Sequence, residues 1–289
     1  MTKKISLGDK IFVAGSSGMA GSAICRMLKK SGYGQPKNNG LLLTPKREEL
    51  NLLNYSQVNE WFIFHKPKVV ILAAGKVGGI LANSSQPADF LLENLNIQTN
   101  VIEAAWKSGV KRLLFLGSSC IYPKYSKQPI QEDYLLEGEL EPTNEPYAIA
   151  KISGIKLCES LRKQYGFDAL SLMPTNLYGP GDNYDTNNSH VMASFIRKFV
   201  EAGKNSYKTV ECWGSGEPLR EFLHVDDLGK AVVFALENWD IDDRNAPRDL
   251  NGEKLSFLNV GTGRDISIRK LAEKVAEIAE FKGEIIWDK

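Results

Sequence analysis

A tyrosine and a lysine, Tyr147 and Lys151, stand four residues apart at the start of a stretch with helical periodicity. Because residues four apart lie on the same face of a helix, both side chains would point into the same space. A phenol titrates at about 10, and a close ammonium group favours its ionised form. The pair therefore predicts a proton donor for a carbonyl oxygen, in which Lys151 lowers the pKa of Tyr147.

Hydroxyl and thiol side chains precede this pair, in the segment GSSCIYP that follows the apolar run 113–116. A serine hydroxyl at the end of a strand can hold the same carbonyl oxygen that the tyrosine protonates. Ser118 and Ser119 both qualify, and the residues alone do not choose between them. A Tyr-x-x-x-Lys pattern occurs by chance in many helices, but a serine pair at a strand end before it indicates a catalytic group.

A glycine-rich turn lies near the N-terminus, in KIFVAGSSGMAGSAI, residues 10–24. Gly15 would permit a tight turn, Gly18 would let the backbone approach a pyrophosphate, and Gly21 would let the next helix pack against the strand. The phosphates would then lie at the helix N-terminus, where free N–H groups and the helix dipole favour negative charge. The predicted cofactor-binding loop also contains Ser16, Ser17 and Met19.

The end of the second predicted strand bears on the choice of nicotinamide cofactor. An acidic residue there would accept hydrogen bonds from the ribose hydroxyls of NAD. In LLLTPKRE these positions hold Lys46 and Arg47, whose charges suit the 2′-phosphate of NADP, although cations in loops are often only solvated. We therefore predict NADP, with Ala73 and Ala74 at the end of the third strand beneath its adenosine side.

Short apolar runs alternate with amphipathic segments along the whole chain. Strands are predicted at 11–14, 41–44, 69–73, 113–116, 169–173, 210–213 and 257–260, and helices near 19–31, 54–65, 86–108, 146–165, 189–203, 226–237 and 267–280. Apolar runs separated by helices are typical of a parallel sheet covered on both faces. The predicted fold class is α/β, a doubly wound parallel sheet. We expect a dinucleotide-binding domain at 1–174 and a smaller substrate lobe at 175–289, interleaved with the last strands.

Composition narrows the function classes. Of 289 residues, 43% are hydrophobic and 25% are charged, as in an ordinary globular enzyme. The formal net charge of +1 indicates neither a nucleic-acid nor a membrane partner. The four cysteines lie far apart, so we expect no disulfide framework and no metal site. No apolar stretch reaches the length of a membrane span, and we expect a cytoplasmic protein.

Longer strings resemble those of a known enzyme family. They are AAGKVGGI (73–80), GSSCIYPK (117–124), EPTNEPYAIAKISGIKLCES (141–160), MPTNLYGPGDN (173–183), NSHVM (188–192) and WGSGEPLREFLHVDDL (213–228). In these strings the chain resembles the GDP-L-fucose synthase branch of the extended short-chain dehydrogenase/reductases. The resemblance implies NADPH-dependent epimerisation and reduction of GDP-4-keto-6-deoxy-D-mannose.

The same resemblance implies roles for individual residues. Ser118 would be the triad serine, and Cys120 and His190 would be the acid/base pair for epimerisation. A 4-keto group acidifies the C3–H and C5–H bonds, and thiol and imidazole groups can titrate near neutrality. The other implied contacts are Asn176, Leu177 and His190 to the nicotinamide, and Lys198, Trp213 and Arg220 to the GDP-sugar.

The match also has departures and a further implication. Lys198 stands where better-known members have arginine, so bidentate phosphate binding would be lost. The chain stops at IIWDK, where members continue, and we expect a shortened lobe whose last strand, 284–287, lacks its usual cover. Similar enzymes form homodimers through the helices near 86–108 and 146–165. The apolar residues that suggest such a dimer are Leu91, Leu95, Val101 and Ala105, although they could instead cover the sheet.

Two other interpretations stay open. A sugar-nucleotide 4,6-dehydratase would have an Asp-Glu pair where this chain has Cys120-Ile121, and a 4-epimerase would need neither Cys120 nor His190. A non-catalytic nucleotide sensor would keep the same fold, because fold does not determine function. Such a sensor would bind NADPH without oxidising it.

Overall fold

The computed structural model describes residues 3–186 and 189–288, so Asn188 of the string NSHVM and the final Lys289 lie outside the described residues. The strands are β1 (Lys10–Ala14), β2 (Leu41–Leu43), β3 (Val69–Leu72), β4 (Arg112–Leu116), β5 (Ala169–Pro174), β6 (Asn176–Tyr178), β7 (Thr209–Trp213), β8 (Leu219–His224), β9 (Phe257–Val260), β10 (Asp265–Ser267) and β11 (Glu284–Asp288). The helices are α1 (Met19–Lys30), α2 (Tyr55–His65), α3 (Ile80–Ser85), α4 (Pro87–Lys107), α5 (Glu145–Tyr165), α6 (Val191–Lys204), α7 (Val225–Asn238) and α8 (Ile268–Ile278).

A six-stranded parallel sheet forms the centre of the molecule, in the order β2-β1-β3-β4-β5-β9. Successive side chains of a strand point to opposite faces, and β1 follows this rule. Phe12 and Ala14 pack in a core with α2, α4 and α5, whereas Ile11 and Val13 pack in a second core with α1 and α7. The predicted doubly wound α/β fold is confirmed.

The apolar residues predicted for a dimer divide between core and surface. Val101 and Ala105 of α4 are fully buried in the core beneath the sheet, so they cover the sheet and are not available to a partner. Leu91 and Leu95 are only half-buried. For Val101 and Ala105 the alternative interpretation therefore holds, because α4 turns that part of its surface toward the sheet.

Two smaller sheets lie outside the main sheet. The first has the order β10-β8-β6, and the second pairs β11 with β7 in parallel. A third core, between α6, α8, β7 and β11, contains Phe199, Cys212 and Leu271. The predicted strand at 210–213 is real, but its assignment to the main parallel sheet was wrong, because it pairs with β11 instead. The predicted last strand, 284–287, corresponds to β11, and β6, β8 and β10 were not predicted.

A buried arginine ties the amino-terminal end of the main sheet together. Arg112, the first residue of β4, is 2% exposed. Its guanidinium donates hydrogen bonds to the Asp168 carboxylate and to the carbonyl oxygens of Ala235 and Trp239. Asp168 also forms an ion pair with Arg162 of α5. This end of the sheet is therefore fastened to α5 and α7.

Across the described ranges, no helix is both long enough and apolar enough to cross a bilayer.

Candidate functional site

The main cleft lies where the strand order reverses. From β1 the chain moves to β2 on one side and then to β3 on the other, and such a crevice beyond the carboxyl ends of parallel strands is where open α/β sheets bind ligands. A cleft of about 770 Å³ opens there. Of the residues predicted from the sequence, it is lined by Gly15, Ser16, Ser17, Gly18, Met19, Gly21, Arg47, Ala73, Ala74, Ser118, Tyr147, Asn176, Leu177 and His190.

The glycine turn has the geometry that a dinucleotide requires. Gly15 adopts a φ of +84°, which side-chain-bearing residues rarely adopt, and a Cβ there would lie 2.7 Å from the Ala74 backbone. A methyl group on Gly21 would overlap the Gly15 carbonyl oxygen. Helix α1 begins after Gly18 with no side-chain cap and no acidic residue in its first turn. The free N–H groups and the helix dipole therefore fit the pyrophosphate of a dinucleotide.

The two predicted 2′-phosphate ligands differ in position. Arg47 is exposed and lines the cleft beside Pro45. Lys46 is also exposed but is not among the lining residues, and its backbone N–H donates to the Glu49 carboxylate at 2.8 Å. The described geometry thus brings one of the two cations, Arg47, to the cofactor cleft.

The serine, thiol and phenol converge at the end of β4. Ser118 follows Gly117 and precedes a short 3-10 turn, Ser119–Ile121. Its side chain lies close enough to Cys120 and Tyr147 to lower the pKa of both groups, which favours Ser118 over Ser119 as the triad serine. Ser118 and Tyr147 line the cleft, whereas Cys120 is not among the lining residues.

Lys151 is buried beneath this group, at 5% exposure. Its Nζ donates a hydrogen bond to the Leu116 carbonyl oxygen at 3.0 Å and lies 4.9 Å from the centre of the Phe115 ring. Burial lowers the pKa of Lys151 to about 8, because the charged form loses hydration, while the nearby Cys120 acts in the opposite direction. Lys151 is thus a cation that can lose its proton at mildly alkaline pH.

Tyr147 does not show the lowered pKa that the sequence predicts. Burial raises the pKa of its phenol above the usual range, Cys120 raises it further, and hydrogen bonding by Ser118 only partly opposes them. The prediction was wrong because loss of hydration of the phenolate outweighs the effect of neighbouring groups. A neutral phenol is nevertheless the form that donates a proton.

Cys120 is a half-buried free thiol. Burial raises the pKa of this thiol to about 11, and Ser118 and then Lys151 act to lower it. The thiolate is therefore a minor species near neutral pH. When it forms, Ser118 and the charge of Lys151 stabilise it. The other cysteines, Cys25, Cys158 and Cys212, have raised pKa values because of burial.

His190 occupies the N-cap position of α6, and its side chain makes no capping hydrogen bond. It is exposed and lines the cleft. Asp182, on the preceding loop, lies close enough to interact with it: burial raises the pKa of Asp182 and the charge of His190 opposes that rise. The imidazole is therefore available to the cleft.

Asn176 and Leu177 reach the cleft from β6, the strand that joins the two parts of the molecule. Strand β6 pairs in parallel with β8, and the Asn176 amide donates to the Glu221 carbonyl oxygen at 2.9 Å. On β8, Phe222 also lines the cleft. This neighbouring sheet therefore forms one wall of the site.

The three predicted substrate contacts are Lys198, Trp213 and Arg220. The Lys198 Nζ donates to the Glu211 carbonyl oxygen at 2.8 Å and lies 5.4 Å from the centre of the Trp213 ring. Trp213 is 70% exposed. Arg220 is exposed on β8 and shares a strand face with Phe222. The structure brings Lys198 and Trp213 together, but none of the three lines the cleft itself.

The residues that hold the loop after β3 were not predicted from the sequence. Asn94, 2% exposed, accepts a hydrogen bond from the Lys76 N–H and donates to its carbonyl oxygen, both at 3.0 Å. Asn83 donates to the carbonyl oxygens of Gly78 and Gly79. An asparagine on the apolar face of a predicted helix could have indicated such a role, because a buried amide requires hydrogen-bond partners.

Comparison with known proteins agrees with this geometry. Residues 11–251 match the NAD dependent epimerase/dehydratase family. Probable GDP-L-fucose synthase 1 of Oryza sativa subsp. japonica is 51% identical over 282 residues, covering 97% of this chain and 80% of the rice protein. GDP-L-fucose synthase 1 of Arabidopsis thaliana is 52% identical over 279 residues, covering 96% and 80%.

A solved structure is similar over nearly the whole chain. It is a GDP-D-glycero-L-gluco-heptose synthase from Campylobacter jejuni, determined in the presence of NADPH. The two chains are 34% identical, and the TM-score is 0.87 over 99% of this chain and 89% of that one.

Proposed function

Since this chain belongs to the NAD dependent epimerase/dehydratase family and, within it, to the GDP-L-fucose synthases, we propose that it epimerises GDP-4-keto-6-deoxy-D-mannose at C3 and C5 and then reduces C4. The product is GDP-L-fucose. The observation that carries the proposal is the cluster of Ser118, Cys120 and Tyr147 beside a dinucleotide cleft. A plain carbonyl reductase would need the serine and the tyrosine but not the thiol.

NADP(H) is the cofactor. The glycine turn would hold its pyrophosphate at the N-terminus of α1, and Arg47 would hold the 2′-phosphate. Ala73 and Ala74 would lie under the adenosine side of the cofactor. Lys46, which does not line the cleft, would add positive charge outside it. When bound, NADPH supplies the hydride for reduction at C4.

In the reduction, this chain's own residues handle the proton and the carbonyl oxygen. Ser118 holds the C4 oxygen by a hydrogen bond. Tyr147, neutral because burial raises its pKa, donates its hydroxyl proton to that oxygen. The buried Lys151 ammonium then stabilises the phenolate that remains, since both groups lie on the same face of α5.

In the epimerisation, two groups act on opposite faces of the sugar. The Cys120 thiolate removes the protons from C3 and C5, whose acidity comes from the 4-keto group. His190 delivers protons on the other face. Ser118 and the charge of Lys151 both act to lower the pKa of Cys120, and they thereby favour the thiolate that removes the C3 and C5 protons.

The substrate lobe supplies the remaining contacts. Lys198 and Arg220 would neutralise the diphosphate, Trp213 would cover the nucleotide, and Asn176, Leu177 and His190 would also contact the nicotinamide. The division that the sequence predicts, 1–174 and 175–289, is part of this proposal. It is supported by the separate core between α6, α8, β7 and β11.

The assembly and the location complete the proposal. A homodimer would use the outer faces of α4 and α5, on which Leu92 and Ile149 are 58% and 41% exposed. The protein would act in the cytoplasm, where its thiols, unpaired in the part of the chain that the structure describes, stay reduced. Light scattering of the purified protein would measure the first point directly.

The decisive experiment measures NADPH oxidation with GDP-4-keto-6-deoxy-D-mannose in heavy water. We expect oxidation of the cofactor, deuterium at C3 and C5, and an L-configured product by NMR and mass spectrometry. Turnover without deuterium uptake would contradict epimerisation and leave a reductase. NADPH binding without turnover would indicate a nucleotide sensor.

A further inference from the structure

Glu221 lies on β8 between Arg220, a predicted substrate contact, and Phe222, a residue of the cleft wall. Arg220 before it and Phe222 after it share one face of the strand, and Phe222 lines the cleft. The Glu221 side chain points to the other face, is half-buried and is not among the lining residues. Any effect of Glu221 on the site therefore passes through the backbone that it holds.

The Glu221 carboxylate is held by the turn that follows β9 of the main sheet. Its Oε1 atom accepts hydrogen bonds from the Thr262 N–H, the Thr262 hydroxyl at 3.1 Å and the Gly263 N–H at 2.7 Å. Successive N–H groups that point at one oxygen form an anion-binding concavity. Here the anion is the protein's own carboxylate.

The turn is shaped to receive that carboxylate. A Cβ on Gly261 would collide with Glu221 Oε1 and lie 3.0 Å from the Thr175 side chain. The Thr175 N–H in turn donates to the Val260 carbonyl oxygen at 3.1 Å, so the turn abuts the segment between β5 and β6. Only glycine fits at 261 without displacing the contact.

The backbone of Glu221 makes the other half of the junction. Its carbonyl oxygen accepts the hydrogen bond from the side chain of Asn176, which lines the cleft on β6. One residue thus connects the turn after β9, strand β8 and the cofactor-facing amide of β6. Arg220 precedes Glu221 on β8, and Asn176 is hydrogen-bonded to its carbonyl oxygen.

We propose that Glu221 is a positioning residue for the GDP-sugar: its carboxylate, seated in the turn 261–263, fixes β8 so that Arg220 faces the diphosphate. The inference rests on the proposed function. Hydrogen bonds to a charged group are among the stronger ones, so losing the charge loosens the strand without emptying any of the hydrophobic cores. The glycine turn at β1 is not part of this junction and keeps its affinity for NADPH.

The test compares Glu221→Gln with Glu217→Gln, a control at an exposed glutamate just before the same strand. Calorimetry with GDP as the probe measures binding, a separate titration measures NADPH, and steady-state kinetics measure KM and kcat for the GDP-sugar. We expect E221Q to weaken GDP binding and raise KM about tenfold, with kcat and NADPH affinity little changed. E217Q should match the wild type.

A second variant distinguishes the loss of this contact from a general loss of folding. Thr262→Ala removes only one donor, so we expect a smaller loss of GDP affinity in the same direction, and little further loss when it is added to E221Q. If wild type binds no GDP, the proposed function fails. If wild type binds GDP and E221Q binds it equally well, or loses GDP and NADPH affinity alike with a lower Tm, the positioning role fails.

Discussion

The Lys151 ammonium lies 5.7 Å from the centre of the Tyr147 ring, while its hydrogen bond goes to the Leu116 carbonyl oxygen. The lysine is thus anchored to the end of β4, the strand that leads to Ser118. This arrangement keeps a cation beneath the phenol without ionising it in advance. Once the phenol has donated its proton, the charge of Lys151 stabilises the phenolate.

Replacing Tyr147 by phenylalanine should therefore stop proton donation while leaving the cleft intact. We expect kcat for NADPH oxidation to fall by about 10²–10⁴, with NADPH affinity unchanged, because only the hydroxyl is lost. Tyr165→Phe is the matched control, since Tyr165 is 53% exposed at the far end of the same helix. A Y147F variant with near wild-type kcat would mean that another group protonates the C4 oxygen.

Replacing Cys120 by serine should separate the two halves of the reaction. A serine hydroxyl is a much weaker acid than a thiol, so we expect deuterium uptake at C3 and C5 to fall by about 10²-fold or more. NADPH binding should persist, because the substitution leaves the glycine turn and Arg47, the proposed contacts of NADPH, unchanged. Cys158→Ser, a buried thiol in the core, provides the comparison. Undiminished exchange in C120S would assign the base to another residue.

The pH dependence of that exchange follows from two shifted pKa values. Burial raises the pKa of Cys120 to about 11, so below that value the thiolate fraction should grow about tenfold per pH unit. Lys151, whose pKa burial lowers to about 8, loses its charge above that pH and no longer favours the thiolate. We expect exchange to rise steeply up to about pH 8 and more slowly above it, as NMR rates would measure. A flat profile would contradict this account.

Arg47 and Lys46 allow a test of cofactor preference by a pair of single substitutions. Arg47 lines the cleft and Lys46 does not, so Arg47→Ala should weaken NADPH binding about tenfold and Lys46→Ala much less. NADH lacks the 2′-phosphate, and its affinity should be unaffected by either change. Fluorescence titration of the four combinations would measure this. Equal losses for NADPH and NADH would mean that Arg47 supports the loop instead of the phosphate.

Two glycine-to-alanine substitutions in the glycine turn should affect different properties, one the stability of the protein and the other its affinity for NADPH. A methyl group on Gly21 overlaps the Gly15 carbonyl, so Gly21→Ala should lower the free energy of unfolding by about 1–3 kcal/mol. At Gly18 the nearest atom to an added Cβ is 3.5 Å away, so Gly18→Ala should cost less than about 1 kcal/mol. Its effect should instead appear in NADPH affinity. Urea denaturation of both variants would decide the comparison.

Most of the main sheet could be predicted from the sequence because its strands are buried on both faces. In β3 and β4 every residue is buried, which produces apolar runs that stand out between amphipathic helices. Strand β8 escaped prediction because it begins with exposed Leu219, Arg220 and half-buried Glu221, and β6 and β10 are only three residues long. Such strands are specified by their partners instead of by their own periodicity.

The site was predictable where spacing alone fixes geometry. Tyr147 and Lys151 share a helix face, and Gly15 to Gly21 form a local turn. The direction of the Tyr147 pKa was not predictable, because it depends on how much water the folded site excludes. The separation of Lys46 from the cleft likewise depends on how the loop after β2 turns, which residue identity does not specify.

The buried guanidinium of Arg112 limits how this chain can diverge. Removing Asp168 would leave the buried Arg112 guanidinium without its carboxylate partner, at a cost of about 3–5 kcal/mol, whereas removing Arg112 would leave Asp168 partly exposed and still paired with Arg162. Asp168 can therefore be replaced only together with Arg112, and the end of the sheet that they fasten should vary slowly in descent. The loops at the opposite end form the cleft, so a new sugar specificity can evolve there while the end fastened by Arg112 is inherited unchanged.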